Sequence, residues 1–232
     1  MKLVLHNYWR SSASHRVRIA LALKGLSYEY VAVNIVKDAQ FADDYRLVNP
    51  LSQVPSLEVT EDDGTTCTIS QSLPIMEYID ERWPDPPILP ILRRDSPNAL
   101  PIAFMRARVR ALAEIINSGI QPLQNLSTTR AIKKFGGDEA VWPQPFIASG
   151  LAAFEALAID TAKTLGCEPG PFSVGAPTIA DCCLVPQLAS ARRFGVDYSK
   201  HALLVQIEKN CLELPAFANA SPDHQPDAVR TP

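Results

Sequence analysis

Apolar and polar positions along the chain follow two different patterns. From residue 2 to residue 82, strand and helix signals alternate. KLVLH (2–6) is a short strand candidate, and Ser14 to Lys24 reads as a helix. YEYVAVNI (28–35) is rich in β-branched and aromatic residues and reads as a strand. In NPLSQVPSLEV (49–59) a turn and a proline lead into a further strand. EDDGTT (61–66) is a hairpin turn, and TCTIS (66–70) is another short strand. QSLPIMEYIDERW (71–83) is helical, with Pro74 in the first turn, where a missing N–H is harmless. The predicted order is βαβ, then ββα, and the hairpin makes the sheet mixed rather than purely parallel.

Pro84, Pro86, Pro87, Pro90, Pro97 and Pro101 crowd one short region, which reads as a linker over 84–100. After it the pattern is helical. Ile102, Met105, Val109, Leu112 and Ile116 recur at steps of three and four. A second long helix is expected from about Pro145 to Leu165 and a third from Thr178. In TIAD, Asp181 stands three residues after Thr178, which predicts a capping box with Asp in the Glu/Gln role. That helix should stop at Gly195, and a shorter one should cover Ala202 to Leu212. The tail PDHQPDAVRTP (222–232) reads as frayed or draped over the surface. The expected domains are 1–83, a linker at 84–100, and an all-helical 101–232.

Composition narrows the function. The chain has 232 residues, 47% hydrophobic, enough for a buried core, and its net charge is -3. No long basic block exists, which argues against nucleic acid; RARVR (106–110) reads as a solvated helix face. No apolar stretch reads as long enough to span a bilayer, and the N-terminus lacks a secretory signal. The five cysteines include no CxxC pair, so neither a disulfide framework nor a metal site is expected. A reducing, cytoplasmic setting is the expectation.

The stretch YWRSSASHRVRIALALKG (8–25) carries the chemistry. One serine at a helix start is a cap worth about 1 kcal/mol. Three in four positions, after a strand and before a helix, imply more, because a helix N-terminus also attracts anions. In a βαβ-ββα domain with a proline ahead of the third strand, thioredoxin-like proteins place their redox cysteine here. This chain has Ser11-Ser12-Ala13-Ser14 instead, so it cannot itself exchange disulfides, but it can hold the thiol of another molecule.

The segments SSASHRVRIALALKG, NPLSQVPSLEV, ISQSLPIMEYIDE, GIQPLQNLS, PTIADCCLVPQLASARRFGVD and the closing QPD resemble, in that order, the zeta class of glutathione transferases, which includes maleylacetoacetate isomerases. The resemblance implies an α/β thioredoxin-like N-terminal domain that binds glutathione, an all-α C-terminal domain, and a homodimer. It places Ser12, with Ser11 beside it, as hydrogen-bond donor to the glutathione thiolate. Lowering a thiol pKa from about 8.5 by two units takes about 2.7 kcal/mol. One hydrogen bond to a charged group gives about 1.5–3 kcal/mol, and a helix N-terminus adds about 0.3–1 kcal/mol.

The resemblance further implies a cis Val54-Pro55 bond whose backbone pairs with the peptide. It assigns Gln71-Ser72 to the γ-glutamyl carboxylate and Gln40 and Gln53 to further contacts. Ala13, Ser14, His15 and Arg16 belong to the same glutathione-binding run. Gln121 and Asn125-Leu126-Ser127 are implied contacts from the helical domain. Arg193, with Arg10 as second candidate, is implied to orient a small acidic substrate. The implied reaction is thiolate addition to maleylacetoacetate, bond rotation, and elimination to fumarylacetoacetate, in tyrosine and phenylalanine breakdown. A transferase or dehalogenase on small α-halo acids and a non-catalytic glutathione-binding module are the alternatives.

Two positions depart from the class signature SSCSWR: Ala13 replaces its cysteine and His15 its tryptophan. His15 is expected to be a partly exposed helix-start histidine rather than a proton carrier. The EDDGTTC hairpin is longer than the class's usual turn and reads as a surface insertion.

Overall fold

Leu3, Leu5 and Asn7 turn inward along the first strand, β1 (Lys2–Asn7), as the two-residue period of a strand requires. The computed structural model to which this strand belongs describes residues 1–91 and 99–229. Two units are present: Met1–Pro86 together with the segment from Leu214 on, and Pro87–Glu213.

In the first unit, β1 is followed by α1 (Ser12–Leu23), β2 (Glu29–Ala32), α2 (Asp43–Val48), β3 (Ser56–Thr60), β4 (Thr66–Ser70) and α3 (Ser72–Arg82). The sheet order is β2-β1-β3-β4. β1 pairs parallel with β2, in register Leu5↔Tyr30, and antiparallel with β3, in register Leu5↔Leu57. β3 and β4 form the expected antiparallel hairpin. Helices α1 and α3 pack against each other. This is the mixed βαβ-ββα arrangement of a thioredoxin-like domain.

Three boundaries differ from expectation. Helix α1 starts at Ser12 rather than Ser14, because Ser11 already supplies the cap. The strand over 28–35 ends at Ala32: the Asn34 side chain accepts the Val36 and Lys37 N–H groups and turns the chain into a 3₁₀ turn. Helix α2 was not expected; its six residues bury only Tyr45, too few for a periodic signal.

The second unit is helical: α4 (Ala99–Glu114), α5 (Gln121–Gln124), α6 (Leu126–Lys134), α7 (Gln144–Leu165), α8 (Ile179–Arg193) and α9 (Ala202–Leu212). Val109, Leu112 and Ile116 lie in its core, as their spacing predicts. Beyond Glu114 the helix widens into a π-helical stretch, Ile115–Ile120. Pro122 has no N–H for the carbonyl four residues back, which favours a wider winding ahead of it. Helix α7 lies close against this stretch: a side-chain carbon on Gly150 would come within 2.4 Å of Ile120 Cδ1. By length and composition, 22-residue α7 is apolar enough to cross a membrane, a correction to the sequence reading. Its inward face of Ile147, Leu151, Phe154 and Ala158 nevertheless packs against the π-helical stretch, α4 and α8, as in a core helix.

The domain boundaries also shift. The units divide between Pro86 and Pro87, inside the expected linker. Ile88 is buried, and its carbonyl accepts the Ile179 N–H at 3.0 Å, so the residues after Pro87 belong to the helical unit. Residues 92–98 of that linker, and 230–232 of the tail, lie outside the described residues. From Leu214 on, the chain belongs to the first unit rather than to the helical domain expected over 101–232. Helix α10 (Pro215–Asn219) packs on α1, and of the two readings of the tail, frayed or draped over the surface, its described residues follow the second. Arg18 Nε donates to the Ala220 carbonyl at 3.1 Å, and Asp227 accepts the Trp9 N–H at 3.2 Å.

Candidate active site

Ser11 and Ser12 stand at different positions at the start of α1. Ser11 is extended (φ -69°, ψ 117°), and its Oγ accepts the Ser14 N–H at 3.2 Å, which makes it the N-cap of α1. Ser12, half-buried, is the first residue of the helix. No acidic side chain stands in the first turn of α1, so nothing there competes with an external anion for the helix dipole.

The residues just behind are closed off. Ser14, His15 and Arg16 are buried, so direct contact with a ligand fits Ser11, Ser12 and Ala13 better than these three. Arg16 Nη1 donates to Ser72 Oγ at 3.0 Å and ties α1 to the start of α3. His15 is buried, not partly exposed as expected; helix α1 is covered on more sides than a single-face pattern suggests. Burial, and secondarily the Arg18 charge, push its pKa well below the usual histidine value, so at neutral pH it is an uncharged ring.

A second loop is fixed by side chains that sequence reasoning missed. The Val54–Pro55 bond is cis, as expected. The Gln53 carbonyl just before it accepts from Tyr45 Oη at 2.6 Å and from Asn49 Nδ2 at 2.8 Å. Asn49 Oδ1 accepts the Leu51 N–H at 3.0 Å. Asn49-Pro50 was legible as a turn, but nothing in the pattern reveals that Asn49 and Tyr45 meet on one carbonyl.

Gln71, at the N-cap of α3, has φ 72°, a left-handed backbone that costs a non-glycine residue about 1–3 kcal/mol. Its Nε2 donates to Gln53 Oε1 at 3.1 Å, linking the two loops. Ser72 is buried at the first turn of α3, behind the exposed Gln71. Gln40 lies in a 3₁₀ turn (Ala39–Phe41), with a buried Oε1 that has no hydrogen-bond partner. Arg10 is exposed, its guanidinium over the Trp9 ring at 5.6 Å.

The remaining candidates belong to the helical unit. Gln124 and Gln187, buried, exchange reciprocal amide bonds of 2.9 and 3.0 Å, and Gln124 Nε2 also donates to Gln121 Oε1 at 3.0 Å. Asn125 is the N-cap of α6: its Oδ1 accepts the Ser127 N–H and hydroxyl, both at 3.1 Å, and Leu126 opens the helix. Arg193 is exposed in the last turn of α8, over the Phe194 ring at 4.9 Å. Asp181 is structural: its two oxygens accept the Ser173 and Thr178 N–H groups, each at 2.8 Å, in the predicted capping box.

Residues 10–82 match the family described as glutathione S-transferase, N-terminal domain. The chain is 44% identical over 230 residues to the maleylacetoacetate isomerase of Mus musculus, covering 97% of this chain and 95% of that one. A solved bacterial maleylpyruvate isomerase, described as a zeta-class glutathione S-transferase, is 38% identical with a TM-score of 0.84, covering 97% of this chain and 100% of that one. The chain belongs to the zeta class of glutathione transferases.

This zeta-class transferase is also similar to the maleylacetoacetate isomerase of Anaeromyxobacter dehalogenans 2CP-1, solved with glutathione in its active site. That likeness has a TM-score of 0.83 and 47% identity over 98% of each chain. The first unit suits glutathione. A buried amide oxygen on Gln40 without a donor suits a ligand N–H, and the acid-free start of α1 suits an anion. Ser12, Gln53, Val54, Gln71 and Gln40 are the residues that would hold it.

Proposed function

We propose that this enzyme is a glutathione-dependent cis–trans isomerase of maleylacetoacetate. The carrying observation is Ser12, a hydroxyl at the first helical position behind a separate capping serine. Ser11 takes the capping role, and Ser12 stands at the first helical position, where the N–H groups and dipole of α1 favour an anion. Bound glutathione supplies a thiolate that adds to the cis double bond, allows rotation, and is then eliminated.

The chain's part is binding and acidity. Ser12 Oγ donates to the sulfur, and the first-turn N–H groups of α1 favour its negative charge. Val54, fixed through Gln53 by Tyr45 and Asn49, pairs with the peptide backbone. Gln71 and the start of α3 hold the γ-glutamyl end. Arg193, with Arg10 as second candidate, orients the substrate carboxylate, since a planar guanidinium suits bidentate recognition.

The enzyme works as a homodimer in the cytosol, in tyrosine and phenylalanine breakdown. Leu47, 89% exposed, and Leu51, 63% exposed, support a self-contact in the first unit. All five cysteines are free thiols, consistent with a reducing compartment.

The similarity to a maleylpyruvate isomerase makes maleylpyruvate the second reading. Transfer chemistry on α-halo acids is the third, motivated by Ala13 in place of the class cysteine. Isomerisation of maleylacetone, a stable surrogate, is measured with and without glutathione. Rapid glutathione-dependent conversion is expected. A protein that binds glutathione yet converts none of it has a different second substrate.

A further inference from the structure

The loop that delivers Ser12 is held from two sides by charged groups, one of them far away in sequence. It runs from Tyr8 to Ser11 and closes with the Ser11 N–H on the Tyr8 carbonyl at 3.0 Å. Arg18, buried, donates to the Tyr8 carbonyl at 3.4 Å, the Trp9 carbonyl at 3.0 Å and Asn7 Oδ1 at 3.1 Å. Its Nε reaches the Ala220 carbonyl. From the other side, Asp227 Oδ2 accepts the Trp9 N–H at 3.2 Å, while Oδ1 accepts from the Tyr30 hydroxyl. The peptide groups of Trp9 are thus held between a guanidinium and a carboxylate, and β2 fixes the carboxylate through Tyr30. The carboxylate belongs to the closing QPD, whose bond to Trp9 also anchors the tail.

We infer that Asp227 is a positioning residue for Ser12. The C-terminal turn sets where the serine hydroxyl stands and thereby how acidic the bound glutathione thiol becomes. A hydrogen bond to a thiolate depends steeply on distance and angle, and a shift of about 1 Å from a remote change can cost about 100-fold. A carboxylate that only glued the tail down could sit on any surface of the first unit. This one is spent on the backbone three residues before the donor. The inference rests on the Ser12 reading and extends it.

The test uses Asp227→Ala, Asp227→Asn and Ser12→Ala in the full chain. The thiol pKa of bound glutathione is read from its ultraviolet thiolate absorbance across pH. S-methylglutathione, which has no ionisable thiol, reports binding alone, and Tm reports stability. For Asp227→Ala the thiol pKa rises by about one unit, which for a bound thiol of pKa about 6.5 is a roughly threefold loss of thiolate at neutral pH. Affinity for S-methylglutathione stays within about twofold. Amide exchange over residues 9–12 quickens in the ligand-free variant. Asp227→Asn, which keeps the shape, shows the same direction with a smaller size and carries the test if the alanine variant does not fold. An unchanged thiol pKa in the Asp227 variants, beside a raised one in Ser12→Ala, overturns the positioning role alone, whatever Tm does. An unchanged pKa in Ser12→Ala overturns the Ser12 reading and this inference with it.

Discussion

At the scale of single residues, two hydroxyls side by side differ in place, because one of them stands outside the helix. Ser11 spends its oxygen on the Ser14 N–H, and Ser12, one position on, is the donor proposed for sulfur. Ser12→Ala should therefore keep the fold, since the cap is intact, and lose most turnover. A hydrogen bond to charge worth about 1.5–3 kcal/mol predicts roughly a 10- to 150-fold fall in kcat/KM. Near-normal turnover would overturn the assignment. His15 gives a pH prediction of definite sign. Burial holds its folded pKa below the unfolded value, so the unfolded chain takes up a proton first as pH falls. Its contribution is fully present above about pH 6.5 and is lost as pH drops toward the folded pKa. Urea midpoints of the wild type should fall across that window, and His15→Gln should flatten the fall. Equal slopes in the two proteins would show that His15 is not the group responsible.

At the scale of elements, the start of α8 was the part most open to reading, because both members of a capping box lie within four residues of each other. The structure adds that Asp181 also accepts the Ser173 N–H, from outside the helix. Thr178→Ala should cost about 1 kcal/mol. Asp181→Ala should cost more, because it orphans two buried N–H groups at about 1–3 kcal/mol each. Both losses should appear in denaturant midpoints with the affinity for glutathione unchanged. The cis-proline loop was half legible. Its dipeptide stood out in NPLSQVPSLEV, but the clamp on Gln53 comes from Tyr45, eight residues back on a helix too short to leave a period. The π-helical turn before Gln121 was not legible at all, since residues 102–116 read as an ordinary helix.

At the scale of the whole molecule, the exposed apolar side chains of the first unit call for a cover. Leu47 and Leu51 stand in and just after α2, where solvation of both carries a cost that a self-contact would remove. Leu47→Glu with Leu51→Glu should weaken self-association, shifting the sedimentation boundary toward the monomer at micromolar concentration. An unchanged boundary would overturn the proposal that Leu47 and Leu51 form a self-contact. The return of the chain to its first unit matters at this scale too. Helix α10 rests on α1, so residues that follow the helical unit in sequence complete the thioredoxin-like unit.

Local patterns set the alternation of β1, the helix signal of α1, the box at Thr178 and the hydroxyls ahead of α1, because each rests on residues within a few positions of one another. Such neighbours are chained together, so their types alone constrain what they can do. The burial of His15, the meeting of Tyr45 and Asn49 on Gln53, and the reach of Asp227 to Trp9 were decided by packing. Asp227 and Trp9 stand 218 positions apart, and no periodicity links them. Only a closed fold brings such a carboxylate and such an N–H within 3.2 Å.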